Sequence, residues 1–152
     1  MANLTLSELA KKMAGIDFSM LQTHTPSGDI AGRPMSNNGD VEYDGTSWFF
    51  AFEDSDGVRQ ASANSKVSLS FSGSKSLLGK PPLFVAVEGD ASVIRDRALL
   101  EEHWVDKLDR WFPQGVETPG IVLIRVTARR IHWWEGEEAG EIEPTASPVV
   151  RP

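Results

Sequence analysis

Val67-Ser68-Leu69-Ser70-Phe71-Ser72 alternates apolar and small polar residues without a break. Successive side chains of a strand point to opposite faces, so this stretch turns one face to a core and the other to a polar surrounding. It sets the class of the chain because strand-like segments lie on both sides of it. Upstream, residues 17–23, 29–36 and 47–53 read as strands, and Thr25-Pro26-Ser27-Gly28 is turn chemistry between the first two. Pro34 cannot donate a ladder hydrogen bond, which puts it on an edge or at a break in pairing. Asn38-Gly39 and Asp44-Gly45 are hairpin-type turns. Downstream, residues 74–82 read as a loop and residues 83–94 as a long strand bent at Gly89. The apolar run 121–126 suits a strand buried on both faces. Residues 129–135 form a last strand, with Ile131 and Trp133 on one side and His132 and Trp134 on the other.

Helices are few. Thr5 with Glu8 three residues later has capping-box spacing, Leu4 and Leu9 suit a hydrophobic staple, and Leu6, Leu9, Ala10 and Met13 make one apolar stripe that Gly15 ends. A short helix is expected over residues 58–64. Asp96 can cap another, on which Leu100, Trp104, Leu108 and Trp111 share a face until Pro113 and Gly115 stop it. Six or seven short strands with so few helices predict a mainly β fold, an antiparallel barrel, in which a closed sheet removes exposed edges. From Gly136 the chain is acidic and then Pro- and Ser-containing with no apolar period. The expected organisation is therefore one domain over residues 1–135 and a disordered tail over 136–152.

Whole-chain totals narrow the function. The length, 152 residues, suits one compact domain. A formal charge of −7 argues against nucleic acid as a partner, since that affinity rests on neutralising phosphates. With no cysteine there is no disulfide, thiol catalysis or thiolate metal site. Apolar runs fall well short of the ~20 residues a membrane helix needs, and the N-terminus lacks a secretory pattern, so a cytoplasmic protein without membrane association is expected. His24, His103 and His132 show no triad or ligand spacing, and Asp54-Ser55-Asp56-Gly57 lacks the rest of a calcium loop, so no metal site is expected. No phosphate-binding glycine loop is present either. What remains is a site made of arginine, aromatics and backbone. Gly32-Arg33-Pro34-Met35 sets a cation on a Pro-interrupted strand beside the aromatic strand Trp48-Phe49-Phe50-Ala51, an arrangement able to hold a flat anionic ligand. A flavin has those demands: ring edges that pair with strand backbone, faces that stack on aromatics, and a phosphate that needs Arg, Lys, hydroxyls or N–H groups. Taken alone, Arg33 reads equally well as half of a surface ion pair. Phe49 and Phe50 point to opposite faces, so at least one belongs to the core. Leu100, Trp104 and Leu108 read as packing between helix and barrel.

These segments, with Val85-Ala86-Val87-Glu88-Gly89-Asp90-Ala91, Trp104, Trp111-Phe112-Pro113, Gly115 and Trp134, stand in the order and spacing of a known family. Over residues 6–134 the chain resembles the pyridoxamine-phosphate-oxidase-like FMN-binding split barrels, and among them the bacterial general stress proteins. That resemblance implies a six-stranded antiparallel split barrel that works as a homodimer, with two FMN sites at the interface built from both chains. It implies that Arg33, Pro34 and Met35 line the isoalloxazine and that Phe49, Phe50 and Ala51 pair with its polar edge through backbone groups. Trp111 and Trp134 would come from the partner and close over the ring. Any chemistry would be hydride or electron transfer through the flavin, as in an oxidoreductase; no catalytic residue is identifiable, and a flavin-binding stress-response module without turnover is the alternative. The sequence departs from the family at the phosphate: Gly57 stands where a Ser-x-Lys segment would place its Lys. Ser55, Val58 and Arg59, at the start of the following helix, are the expected compensating residues. Loss of one charge-assisted contact costs about 1.5–3 kcal/mol, roughly tenfold to a hundredfold in affinity, which leaves FAD or another flavin open beside FMN.

Overall fold

A computed structural model describes residues 3–37, 42–74 and 77–144. Its elements are α1 (Leu6–Met13), β1 (Phe18–His24), β2 (Ile30–Ser36), β3 (Thr46–Phe52), α2 (Asp56–Ala63), β4 (Lys66–Ser72), β5 (Leu83–Ile94), α3 (Arg97–His103), β6 (Ile121–Glu135) and β7 (Glu138–Ile142), with short 3-10 turns at Asp106–Arg110 and Gly115–Glu117. All described strand pairs are antiparallel, and the sheet runs β2-β1-β4-β5-β6-β3. The seven strand segments read from the sequence make up the six strands of that path, and β7 adds one more on β6. β2 and β3 end the path and do not pair with each other, so the sheet stays open between them.

The alternation in residues 67–72 is what holds the core. Leu21, Leu69, Val87 and Ile131 lie in one cross-strand register on β1, β4, β5 and β6, and each is essentially fully buried. Burial of such side chains stabilises by about 1.5–3 kcal/mol apiece. Phe71, Val85 and Trp133 form the neighbouring row. α1 closes one end through Leu9, Ala10 and Met13, and its capping box is complete: the Glu8 N–H donates to the Thr5 hydroxyl and the Thr5 N–H donates to the Glu8 carboxylate.

The structure corrects three expectations. First, residues 121–126 and 129–135 are one strand, not two. β5 and β6 slip register between Glu88 and Gly89, which leaves Arg129 as an extra residue. Inward positions on β6 therefore shift from Val122, Ile124, Val126 and Ala128 to Ile131 and Trp133, and that phase change reads as a strand break. Glycine is required on the partner strand, because a Cβ at Gly89 would sit 2.9 Å from the Thr127 carbonyl oxygen. Second, Leu100, Trp104, Leu108 and Trp111 do not share one helix face. α3 stops at His103 and Trp104 is extended. That break lets Phe112 turn inward onto Phe50, Phe52 and Trp104 while Trp111 stays half-exposed. Third, the chain from Gly136 is not a disordered tail throughout: β7 pairs residue for residue with Ile131–Glu135. Gly140 lies against the Trp133 indole, where a Cβ would be 2.7 Å from Nε1, so only glycine fits. Residues 145–152 and Asn38-Gly39 lie outside the described residues. Asp44-Gly45 bends the chain into β3, with the Thr46 N–H donating to the Asp44 carboxylate, but makes no hairpin, because β2 and β3 do not pair.

Candidate functional site

The row of buried apolar side chains ends in a cation. Arg33 on β2 stands opposite Leu21, so its side chain lies on the inner face of the sheet in line with Leu21, Leu69, Val87 and Ile131. A guanidinium there needs oxygen partners. Nη1 donates to the Thr23 hydroxyl at 2.7 Å and to the Leu21 carbonyl at 3.3 Å; Nη2 donates to the Gln60 side-chain oxygen at 3.1 Å. The Thr23 hydroxyl in turn donates to that same Gln60 oxygen at 2.6 Å, which closes a ring of three side chains from β1, β2 and α2. Every oxygen in it is neutral. Among the described residues no carboxylate pairs with Arg33, whereas Arg95, Arg97 and Arg129 pair with Glu53, with Glu101 and Glu117, and with Asp90. Burial pulls the Arg33 pKa down, against an upward pull from Asp56, which means the charge is held at a desolvation cost that its own neighbours do not offset.

At the other end of the sheet path lies β3, which leads into the α2 corner that Arg33 reaches. β3 pairs only with β6 among the described residues, so its second edge is open backbone. Phe49 is buried in the core, while Phe50 faces the opposite way and packs edge-on to Trp104 at 5.0 Å. Both rings thus serve packing. The Glu53 N–H donates to the Gly120 carbonyl and the Ala128 N–H to the Gly45 carbonyl, so in this register Phe49 and Ala51 turn their backbone groups to β6 and the open edge offers those of Phe50, not of all three expected residues. Met35 lies on the Arg33 side of β2, packed at the rim of the core, and Pro34 is exposed on the other face.

At the start of α2 each expected residue has a local task. The Ser55 hydroxyl caps the helix, accepting from the Val58 N–H at 3.4 Å. Val58 is buried in the core. Arg59 folds back onto the Asp54 carbonyl and the Asp56 carboxylate, which turns that anion outward and satisfies it. Arg33 reaches the same turn from β2: its Cδ and Nε lie 3.4 and 3.5 Å from where a Cβ of Gly57 would stand. Thr23 and Gln60 carry this arrangement and were missed in the sequence. The only signal was a threonine at an inward position of β1, in phase with Ser19 and Leu21.

The two tryptophans lie elsewhere. Trp111 ends the 3-10 turn at Asp106–Arg110, about half exposed, with the Arg110 guanidinium 5.9 Å from its ring. Trp134 is on the outer face of β6, in register with Phe84 on β5 and stacked on His132. Phe18 and Met20 share that outer face on β1, and Ser70, Ser72 and Ala86 lie between. A cavity of about 310 Å³ beside α1, lined by Met13, Trp48, Phe71 and His103 among others, takes in Phe49 but no other expected site residue. Burial pushes the Tyr43 hydroxyl at its wall to a raised pKa, and that group is shut off from solvent. No helix among the described residues is long and apolar enough to cross a membrane.

Comparison with solved structures places this geometry among known folds. A Clostridium acetobutylicum protein related to general stress protein 26 of the pyridoxinephosphate oxidase family aligns with a TM-score of 0.75 at 17% identity, covering 91% of this chain and 93% of that one. An FAD-binding protein from Mesorhizobium loti aligns at 0.68 and 17% identity, over 88% and 96% of the two chains. A heme-binding protein from Mycobacterium smegmatis aligns at 0.66 and 12% identity, over 96% of this chain and 61% of the other. At these identities the likeness concerns the fold alone. No curated protein sequence matches. The sequence does match one family model, described as pyridoxamine 5'-phosphate oxidase like, over residues 5–146. The open β2–β3 edge, the Arg33 corner and this match together place the chain in the pyridoxamine 5'-phosphate oxidase-like family.

Proposed function

We propose that this chain binds a flavin, FMN before FAD, in the cleft between β2 and β3, and that it does so as a cytoplasmic homodimer. One observation carries the reading: a half-buried guanidinium, held by three neutral oxygens and no carboxylate, at the edge of an open strand. A flavin phosphate would supply the missing anion, and the free backbone groups of Phe50 on the open edge of β3 suit the carbonyl and imide groups of the ring. Heme fits the cleft less well. His103 is stacked on Trp48, His132 is held by Glu88 and Glu141, and His24 alternates with the inward Thr23 and so lies on the outer face of β1, so none of the three is poised there as an axial ligand. The outer-face group Phe18, Met20, Phe84 and Trp134 supports dimerisation, because a second copy would cover it and could bring Trp134 and Trp111 to the partner's cleft.

When bound, the flavin would supply hydride or electron transfer, and the protein's part would be position and charge. The side chains ringing Arg33 are a threonine and a glutamine, neither an acid nor a base near neutral pH. This favours, as a second reading, a flavin-binding module without turnover. Titration with FMN, read by tryptophan quenching and flavin absorbance, tests binding; a protein that stays colourless and unquenched would sink the reading. Reduction of the bound flavin by NADH or NADPH separates an oxidoreductase from a module, and sedimentation tests the dimer.

A further inference from the structure

We infer that Gly57 is the seat of Arg33, and that Thr23 and Gln60 are positioning residues that aim its guanidinium at the ligand's anionic group. The inference rests on the flavin reading and deepens it. Gly57 is buried although it sits in the exposed first turn of α2, because the Arg33 side chain lies across it. Any side chain at Gly57 would start 3.4 Å from Arg33 Cδ and 3.7 Å from Cζ, so an atom beyond Cβ would take the space the guanidinium now fills. A Cβ alone would make ordinary contact there, so it is the absence of any larger side chain that leaves room for a cation to reach the α2 corner from β2.

The clamp fixes orientation as well as place. A guanidinium has five N–H donors. Both on Nη1 are engaged by Thr23 and Leu21, and one on Nη2 by Gln60. The Nε–H and the second Nη2–H are left. They lie on one edge of the planar group, the fork that matches two oxygens of a phosphate or carboxylate. Neutral acceptors matter here: they hold the group without neutralising it. A carboxylate in place of Gln60 would hold it more firmly and reduce its charge toward a ligand.

Gln60→Glu separates those effects, since it keeps size and hydrogen-bonding reach. Dissociation constants for FMN and riboflavin, which differ by the phosphate, are measured for the wild type, Gln60→Glu and Gly57→Val. Thermal melts with and without inorganic pyrophosphate run alongside. In the wild type FMN is expected to bind at least about tenfold tighter than riboflavin, the low end of one charge-assisted contact. In Gln60→Glu that preference falls to within about threefold while the melting temperature is unchanged or higher; in Gly57→Val it falls likewise. Pyrophosphate raises the melting temperature of the wild type and of neither variant. An FMN-to-riboflavin ratio that stays at its wild-type value in both variants would overturn the seat and clamp while leaving the flavin reading intact. If the wild type binds neither flavin but pyrophosphate still stabilises it and not the variants, the flavin reading falls and the anion seat stands. Should Gly57→Val not fold, Gln60→Glu decides alone.

Discussion

Two arginines sit at the same corner and have opposite fates. Arg59 comes from α2 itself, is largely exposed, and is paired with the Asp56 carboxylate one turn away while donating to the Asp54 carbonyl. Arg33 comes from another strand, is part-buried, and holds only neutral oxygens. By sequence position Arg59 is the natural replacement for a missing phosphate-binding lysine, because it lies two residues from Gly57. The geometry favours the other. A cation that has already met its carboxylate in water has little to gain from a ligand. One that is desolvated, oriented and unneutralised has most of the cost of recognition already met in the free protein.

The sharpest way to break this comparison is to remove each cation in turn. Arg33→Gln is expected to weaken FMN binding by tenfold to a hundredfold, from about 1.5–3 kcal/mol for one charge-assisted contact, with riboflavin affinity nearly unchanged. Arg59→Gln should leave FMN within about threefold of the wild type, as an exposed pair worth at most about 1 kcal/mol implies. Isothermal titration with both flavins checks this. If Arg59→Gln proved the more damaging, the assignment of the two arginines would be reversed.

Stability should divide the same way at a lower level. Thr23→Val keeps the shape of a buried position but leaves Arg33 Nη1 and Gln60 each short of a partner. Nη1 keeps the Leu21 carbonyl and the Gln60 oxygen keeps Arg33 Nη2, so each loses one hydrogen bond and not its last, at about 0.5–1.5 kcal/mol apiece, read as a lower urea midpoint at unchanged slope. A Thr23→Val protein as stable as the wild type would show that the clamp is not held in solution.

How much of this was readable follows from which interactions are local. The strand at Val67–Ser72, the Thr5–Glu8 capping box and the turn at Thr25–Gly28 depend on residues a few positions apart, so pattern sufficed for them. β6 read as two strands because the slip opposite Gly89 breaks a period that only the pairing partner restores. β7 stayed hidden because Gly140 is selected by the Trp133 ring above it, not by any apolar rhythm of its own. The site divides in the same way. The placing of Arg33 and of the β3 edge could be read, since a cation within a strand motif stands out, while their part in binding is the proposal made above. Ser55 and Val58, expected at the ligand, serve the helix cap and the core, tasks that depend on their place in α2. Thr23, Gln60 and the role of Gly57 exist only across β1, α2 and β2, with 10 and 27 residues separating Arg33 from its two side-chain partners.

The smallest effect concerns Arg59 alone, and it bounds the comparison from below. Arg59→Ala removes an ion pair within one turn of α2 whose side chains are 59% and 74% exposed. Screening and side-chain entropy limit such a pair to about 0.2–1 kcal/mol, and the loss should shrink further at about 1 M salt, where the screening length is near 3 Å. The same variant also frees Asp56, whose carboxylate would then act unneutralised on the cleft that Arg33 serves. FMN affinity in Arg59→Ala should therefore fall slightly at low salt, by about twofold to threefold on the scale of a screened surface charge, and recover as salt rises. Removing a direct phosphate contact would give the opposite trend: the loss would be large and would persist in salt. The slope of FMN affinity against ionic strength in this one variant thus tells whether Arg59 shields its neighbour or touches the ligand.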